Sequence, residues 1–460
     1  MSDVHNIVAK VWKLCDILRD EGISYHQYVN ELTYLLFLKM AEETGTEKTL
    51  LDGCRWSNLV ELSGDPEAQY GRYLHMLDDL GTKGQGRIKQ IFTNPTTFLC
   101  RPESLEKLVT EIGRLEWHAV GREGLGDVYE GLLQKNASDL KSGAGQYFTP
   151  RPLVDSIIRI LQPHAGETIV DPAMGTGGFF VSANSAVADG KATFFGVEIV
   201  RDTHRLALMN ASLHNIPGEL ILGDALARDG IVLPPVDLVV TNPPFGSKKG
   251  ADRPLRTDLK YPTSNKQFAF LQLAYSCLKP GGRAGIIVPD NVLFEEGIGT
   301  KIRADLMEKC NLHTILRLPT GIFYAHGVKT NVLFFTRGKE DRGNTKQLWV
   351  YDLRTRMPAF GKRTPLTQKH FDEFEKAFGK KSDGTSKRTD QGENGRFRCF
   401  GREDVKKRGD NVDINWLKDD AGNDREETHE PESIAAMIRE RLAIALEEMD
   451  ALTELLGDSE

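Results

Sequence analysis

Thr168-Ile169-Val170-Asp171-Pro172-Ala173-Met174-Gly175-Thr176-Gly177-Gly178-Phe179-Phe180 decides the fold class of this chain. A β-branched run leads into Gly-x-Gly-Gly and then into an apolar helix start, which lets a ligand approach the backbone closely at the carboxyl end of a strand. The pattern differs from the G-x-G-x-x-G of dinucleotide binders. Downstream, Ala192-Thr193-Phe194-Phe195-Gly196-Val197 reads as a second strand ending in Glu198, at roughly the twenty-residue distance where a carboxylate can grip a ribose diol. A third unit, Leu220-Ile221-Leu222-Gly223-Asp224-Ala225-Leu226, ends in an acid placed to accept a hydrogen bond from an adenine amino group. Each acid taken singly is an ordinary strand end or helix cap. Their order along the chain gives them weight.

A fourth apolar run, Val236 to Val240, leads into Asn242-Pro243-Pro244-Phe245. An exocyclic amino group such as adenine N6 is a poor nucleophile because its lone pair is delocalised into the ring. The Asn242 side-chain oxygen and the Pro243 carbonyl can each accept one N–H from such a group, since proline lacks a donor and stiffens the turn. Phe245 offers a flat face on which a base can stack. Asn-Pro-Pro alone is often only a turn, and it is the company of the three preceding units that points to a methylated amide-like nitrogen.

Around this centre the chain reads as three parts. Residues 1–140 carry helical periodicity, as in Val4, Val8, Val11, Trp12, Cys15 and Leu18, followed by the dense apolar stretch Tyr34 to Met40. This is a helical amino-terminal domain. Residues 141–378 form the catalytic domain, in which strand-like runs at Ile169-Val170, Phe194–Val197, Leu220–Leu222, Leu238–Val240, Ala284–Val288, Thr314–Leu318 and Val332–Phe335 alternate with helical ones. The pattern predicts an α/β fold with a doubly wound sheet. Residues 379–430, rich in Gly, Ser, Lys, Arg and Asp up to about 410, are expected to form a polar loop or linker. In 431–460, Ile438, Leu442, Ala445, Met449, Leu452 and Leu456 follow 4-3-4-3-4 spacing among glutamates, a seam that suits a coiled coil or a terminal amphipathic helix.

Composition narrows the class. With 460 residues, 40 % hydrophobic and 27 % charged, the chain can bury two or three domain cores. No charged-then-apolar leader is seen and no apolar run approaches the ~20 residues that span a bilayer, so the expected location is cytoplasmic. The six cysteines lack a C-x-x-C pair and the eleven histidines show no ligand spacing, so reduced thiols and no metal are expected. The last fifty residues hold 15 acids and 4 Lys or Arg, leaving residues 1–410 at only +4 within an overall −7. A protein that grips DNA unaided usually shows a stronger basic surplus. One basic cluster, Lys248, Lys249, Arg253, Arg256 and Lys260, follows the Asn-Pro-Pro-Phe turn and reads either as a phosphate-contacting loop or as a solvated surface one.

Taken together, these motifs resemble the S-adenosylmethionine-dependent N6-adenine DNA methyltransferases, and within them the modification subunits of type I restriction-modification systems. Gly145-Gln146-Tyr147-Phe148-Thr149-Pro150-Arg151 precedes the glycine turn as the family's cofactor-contacting segment does, while Leu32–Met40 and Gly126–Leu133 look like its helical amino-terminal domain. The resemblance covers roughly residues 5 to 340. It implies a Rossmann-like methyltransferase domain with Asn242, Pro243, Pro244 and Phe245 as the catalytic turn. S-adenosylmethionine would be held by Gln146, Tyr147, Phe148, Thr149, Pro150 and Arg151, by Asp171, by Gly175, Thr176, Gly177, Gly178 and Phe179, and by Glu198, Asp224 and Ala225. It further implies an adenine extruded from double-stranded DNA, stacked by Phe245 and by Phe323 of Gly321-Ile322-Phe323-Tyr324, with Lys248, Lys249, Arg253 and Arg256 on phosphates. Sequence choice is expected from a separate specificity subunit, two copies of this chain serving one of it, with a restriction nuclease or translocase as a further partner. The seam after Pro431 would meet the helical part of the specificity subunit. Two rival readings use the same motif: methylation of a glutamine side chain in protein, and a silent scaffold that binds the cofactor without transferring its methyl group.

Overall fold

The computed structural model describes residues 2–23, 27–119, 121–139, 149–187, 192–227, 231–246, 256, 258–323, 329–358, 360 and 364–417. Up to Asp139 every described element is helical, from Ser2–Lys13 to Gly121–Asp139. The helix Tyr28–Thr44 is buried on nearly all sides, including Tyr34 through Met40, as expected of an element at the centre of a bundle. It ends at Gly45 in the left-handed region (φ 68°), a conformation in which only glycine avoids a Cβ penalty.

From Thr168 onward the chain builds one nine-stranded sheet. Its strands are β1 Thr168–Asp171, β2 Thr193–Glu198, β3 Gly218–Leu222, β4 Val236–Thr241, β5 Leu278–Pro289, β6 Cys310–Arg317, β7 Thr330–Arg337, β8 Gln347–Asp352 and β9 Phe397–Gly401. They lie in the order β3-β2-β1-β4-β5-β7-β6-β8-β9. Neighbours from β3 to β5 are parallel, whereas β7 runs against both β5 and β6. The seven expected strands correspond to β1 to β7. Apart from the edge strand β3, their near-continuous apolar runs are those of strands covered on both faces.

Successive strand residues serve opposite layers. Ile169, Phe194, Leu238 and Val240 join a core shared with the amino-terminal helices and with helices Arg151–Leu161, Gly178–Ala186 and Arg201–Leu213. Val170, Val197, Val236 and Val239 face a second core with helices Lys266–Cys277 and Ile298–Lys309. The helical region therefore has no separate apolar core and is continuous with one face of the sheet.

The stretch expected to be a polar loop differs. Phe397–Gly401 is β9, antiparallel to β8, and the polar residues before it wrap a helix, Asp372–Phe378, whose Phe374 and Phe378 are fully buried. A few well-placed aromatics anchor this segment where average composition suggested none. The heptad seam at 438–456 lies outside the described residues. No described helix is long and apolar enough to cross a membrane.

Candidate active site

β1 and β4 are neighbours, and the order of the sheet reverses between them. In open α/β sheets ligands bind at such a switch point, beyond the carboxyl ends of the strands. Here a cleft of about 750 Å³ opens at that edge, lined by Asp171 at the end of β1, Glu198 at the end of β2, Asp224 after β3 and Asn242 after β4. Gly175, Thr176, Gly178, Phe179 and Ala225 line it as well.

The glycine turn is shaped for close approach. Gly175 (φ 56°) and Gly177 (φ 83°) both stand in the left-handed region; Gly175 faces the cleft with open space where a side chain would be, and Gly177 is the residue before helix Gly178–Ala186. Asn210 Nδ2 donates to the Thr176 carbonyl at 3.1 Å and ties the turn to the neighbouring helix. Glu198 holds it from the side: its Oε2 accepts from Gly175 N (3.1 Å) and its Oε1 from Val200 N (2.8 Å). Burial raises the pKa of this carboxyl, and the backbone donors oppose that rise. Ile199 N adds to these backbone donors. Asp171, fully enclosed, accepts from Ala173 N at 3.0 Å, and burial pushes its pKa up to about 7. Asp224 accepts from Leu226 N at 2.9 Å.

The opposite wall carries the Asn-Pro-Pro turn. Asn242 is 9 % exposed; its Nδ2 donates to Thr149 Oγ1 at 3.0 Å. That bond fixes the amide with Oδ1 turned the other way, buried and without a hydrogen-bond partner among the described residues. A buried acceptor left open costs roughly 1–3 kcal/mol, which is the mark of a group kept for something that binds. Pro244 lines the cleft beside it and Pro243 is buried behind.

One wall was not foreseen from sequence. Gln27, Asn30, Thr96, Phe98, Glu130 and Leu133, all from the helical region, close the cleft. The wall hangs on Glu31, a fully buried acid whose carboxylate accepts from Thr97 Oγ1 and Phe98 N, both at 2.7 Å. The Phe98 ring is left 42 % exposed. No local sequence signal points there, because Glu31 is one of several polar residues in its helix, with Asn30, Lys39, Glu42 and Glu43.

Several expected roles change. Phe323 is 4 % exposed in the core, because the turn at Gly321 (φ 81°) sends both Ile322 and Phe323 inward; it is not available to stack a base. Phe245 is half-buried and packs on the same core. The aromatic rings that line the cleft are Phe98, Phe179 and Phe270. Arg256 is 7 % exposed and its guanidinium is committed to Asp258 (2.7 Å) and to the carbonyls of Ala225 (3.0 Å) and Ile231 (2.9 Å), which removes it from any phosphate. Lys260 is paired with Asp305 at 2.6 Å. Arg151 borders the cleft, but its head is ion-paired with buried Glu130 and, at 2.9 Å, with Asp155. It fastens helix Gly121–Asp139 to helix Arg151–Leu161. Asp127, Glu130 and His214 present ligand atoms within 4.8 Å of one another, yet the Arg151 guanidinium already occupies Glu130 and repels a cation. Gln146, Tyr147 and Phe148, together with Lys248, Lys249 and Arg253, lie outside the described residues.

With this geometry in place, comparison with known proteins is direct. Residues 7–112 match the HsdM N-terminal domain and residues 120–422 the N-6 DNA Methylase family. The chain is 47 % identical, over 98 % of its length and 96 % of the relative's, to the type I restriction enzyme StySPI methylase subunit of Salmonella potsdam. It is 46 % identical, over 99 % and 96 %, to the EcoKI methylase subunit of Escherichia coli K12. The crystal structure of the EcoKI M protein aligns with a TM-score of 0.56 at 42 % identity, covering 98 % of this chain and 96 % of that one. A chain from a structure of type I R-M complex assembly aligns at 0.72 with 26 % identity, covering 98 % of both.

Proposed function

This chain belongs to the methylase subunits of type I restriction enzymes, and from that premise we propose how its cleft serves adenine-N6 methylation of DNA. The protein is an S-adenosylmethionine-dependent adenine-N6 DNA methyltransferase. The observation that carries the assignment of roles is the buried, unpartnered Oδ1 of Asn242, an acceptor with the position and chemistry to take an N–H from an amino group.

An adenine must leave the duplex to enter the cleft, at a cost of a few kcal/mol in stacking and pairing. Asn242 Oδ1 and the Pro243 carbonyl each accept a hydrogen bond from one of its two N6–H groups, which orients the nitrogen and returns lone-pair density to it. Thr149 keeps the amide from rotating, so the acceptor is preorganised and needs no rearrangement as the reaction proceeds. Phe98, Phe179 and Phe270 supply apolar surface around the bound groups.

The left-handed glycines and the acids at the ends of β2 and β3 fit S-adenosylmethionine, whose bound sulfonium supplies an electrophilic methyl group. Glu198 offers its carboxylate to a ribose diol, and Asp224 is placed for the adenine amino group. Asp171 and Gly175 to Phe179 shape the floor beneath. No side chain in the cleft is assigned as a base, and the proton leaves to water after transfer.

Sequence choice belongs to a specificity subunit, with two copies of this chain flanking one of it and a restriction subunit joining that complex in the cytoplasm. The modest surplus of +4 over residues 1–410 supports such delegation. The test is transfer of a labelled methyl group to duplex DNA by the chain with its specificity partner, read as N6-methyladenine after digestion. Label appearing in protein glutamine, or cofactor binding with no transfer to DNA, would overturn the reading.

A further inference from the structure

A second groove, of about 810 Å³, lies between helix Asp372–Phe378 and the strands β8 and β9. Its lining carries six Lys or Arg, namely Arg356, Lys369, Lys376, Lys387, Arg388 and Arg396, against a single carboxylate, Glu373. Residues 1–410 carry a surplus of only +4, so this is a concentration of charge and not a sample of the average surface. Arg356, Lys369, Lys376 and Lys387 are exposed and have no ion-pair partner among the described residues. Arg356 is held in the left-handed region (φ 58°), uncommon for a residue other than glycine and a sign that its surroundings fix it.

Beneath them Arg388 is anchored. Its guanidinium lies 4.3 Å from the Phe378 ring centroid, and donates to the Phe378 carbonyl (2.9 Å) and to Thr314 Oγ1 (2.9 Å). Its Nη2 is buried with no acceptor among the described residues. Arg396 is paired with Glu373 at 3.4 Å and also donates to the Thr355 carbonyl. The floor is thus rigid, and the free cations stand along its rim.

Position decides the partner. Arg356 follows the end of β8 and Arg396 precedes the start of the antiparallel β9, so both stand at the edge of the sheet where the methylation cleft opens. Between β4 and β8 lie β5, β7 and β6; at ~4.8 Å per strand spacing the groove is displaced by about 19 Å. That is less than one helical turn of DNA, about 34 Å. The groove is therefore within reach of the backbone of a duplex that delivers a base to Asn242.

We propose that the basic groove beside β8 and β9 is a seat for the phosphate backbone of duplex DNA, separate from the cleft that holds the base. The choice of DNA as the polyanion rests on the methyltransferase assignment; the groove itself does not. The competing occupant is the chain's own acidic stretch, Asp419, Asp420, Asp424, Glu426, Glu427 and Glu430, which follows Trp416, whose Nε1 donates to the Gly395 carbonyl in the groove lining at 2.8 Å.

The test uses the full-length chain carrying Lys369→Gln, Lys376→Gln and Lys387→Gln together, with the three Lys→Arg changes as the charge-preserving control. Duplex binding is followed by fluorescence anisotropy between 50 and 200 mM salt, and S-adenosylmethionine binding by calorimetry. Each phosphate that the protein no longer neutralises lowers the slope of log K against log salt by about 0.9, so the glutamine variant should lose between one and three such steps. It should also bind DNA at least tenfold more weakly, with cofactor affinity unchanged and the arginine variant like wild type. Unchanged slope and affinity would overturn the proposal. So would a chain ending at Leu417 that binds DNA more tightly than wild type, with the gain abolished by the glutamine substitutions, since the groove would then belong to the acidic stretch. Loss of cofactor binding in the wild-type chain would instead count against the methyltransferase assignment and leave the salt slopes to judge the groove.

Discussion

Replacing Asn242 by alanine removes one buried acceptor and nothing else of size from the cleft. Its oxygen is unpartnered while its nitrogen is spent on Thr149, so the whole loss falls on whatever approaches the oxygen. A preorganised hydrogen-bonding group in a closed site contributes ~2.7–4 kcal/mol to the transition state, by analogy with oxyanion donors; that is about a 100- to 900-fold drop in the rate of transfer. On the proposed assignment the cofactor is held on the glycine-turn side, so its affinity should stay within a few-fold. Thr149→Val separates orientation from presence. It keeps the acceptor but frees the amide to rotate, at the cost of one ordinary hydrogen bond, ~0.5–1.5 kcal/mol, or about 2- to 10-fold in rate. The measurement is single-turnover transfer of labelled methyl to a duplex bearing the recognised site, in the presence of the specificity partner, alongside calorimetry of S-adenosylmethionine. Asn242→Ala retaining more than about a tenth of the wild-type rate would refute the reasoning, as would a loss of cofactor affinity large enough to account for the whole effect.

Glu198→Ala should weaken S-adenosylmethionine by more than tenfold, because it removes the acceptors for a ribose and also releases Gly175 N; unchanged affinity by calorimetry would reduce Glu198 to a brace of the turn. The Asp171 carboxyl, at about 7 in the folded chain against an ordinary 3.8, keeps a proton that the unfolded chain has lost between those values. Stability is therefore lost as pH rises through that window, by at most ~4 kcal/mol. Asp171→Asn keeps an oxygen for Ala173 N, so without cofactor its melting temperature should match wild type near about pH 4, exceed it increasingly as pH rises to about 7, and keep a constant lead above that; a difference independent of pH would show that Asp171 is not the titrating group. Removing the residues after about Pro431 should impair assembly with the specificity partner while leaving the melting temperature of the isolated chain unchanged, and assembly at full affinity by the shortened chain contradicts a partner-facing seam.

What the sequence disclosed followed from how local each signal is. β1 to β7 are rich in Val, Ile, Leu and Phe, and all but the edge strand β3 are largely buried; such strands announce themselves. In β9, Phe397-Arg398-Cys399-Phe400 sits at an edge among charged neighbours, so composition hides it. The acids at the ends of β1 and β2 and after β3, and the Asn-Pro-Pro turn after β4, each mark the end of a strand, and the switch point brings four such ends together without further information. The wall from the helical region is different. Phe98 reaches the cleft only because Glu31, 67 positions earlier, holds its N–H, and no pattern within a window of sequence carries that. Arg256 shows the converse failure: its charge was plain, but its burial under Asp258 and two carbonyls depends on tertiary contacts.

Since the cleft has walls from both the helical region and the sheet, a ligand that touches both binds their joined form and not either alone. Occupancy by such a ligand and attachment of the helical region are then linked quantities: at a hundredfold excess over Kd, binding adds ~2.7 kcal/mol to their union. The reverse also holds, because whatever loosens Glu31 from the Thr97 and Phe98 segment must lower affinity for that ligand by the same free energy. The helical region is in that sense part of the binding constant, although Asp171, Glu198 and Asp224 all stand on the sheet side of the cleft.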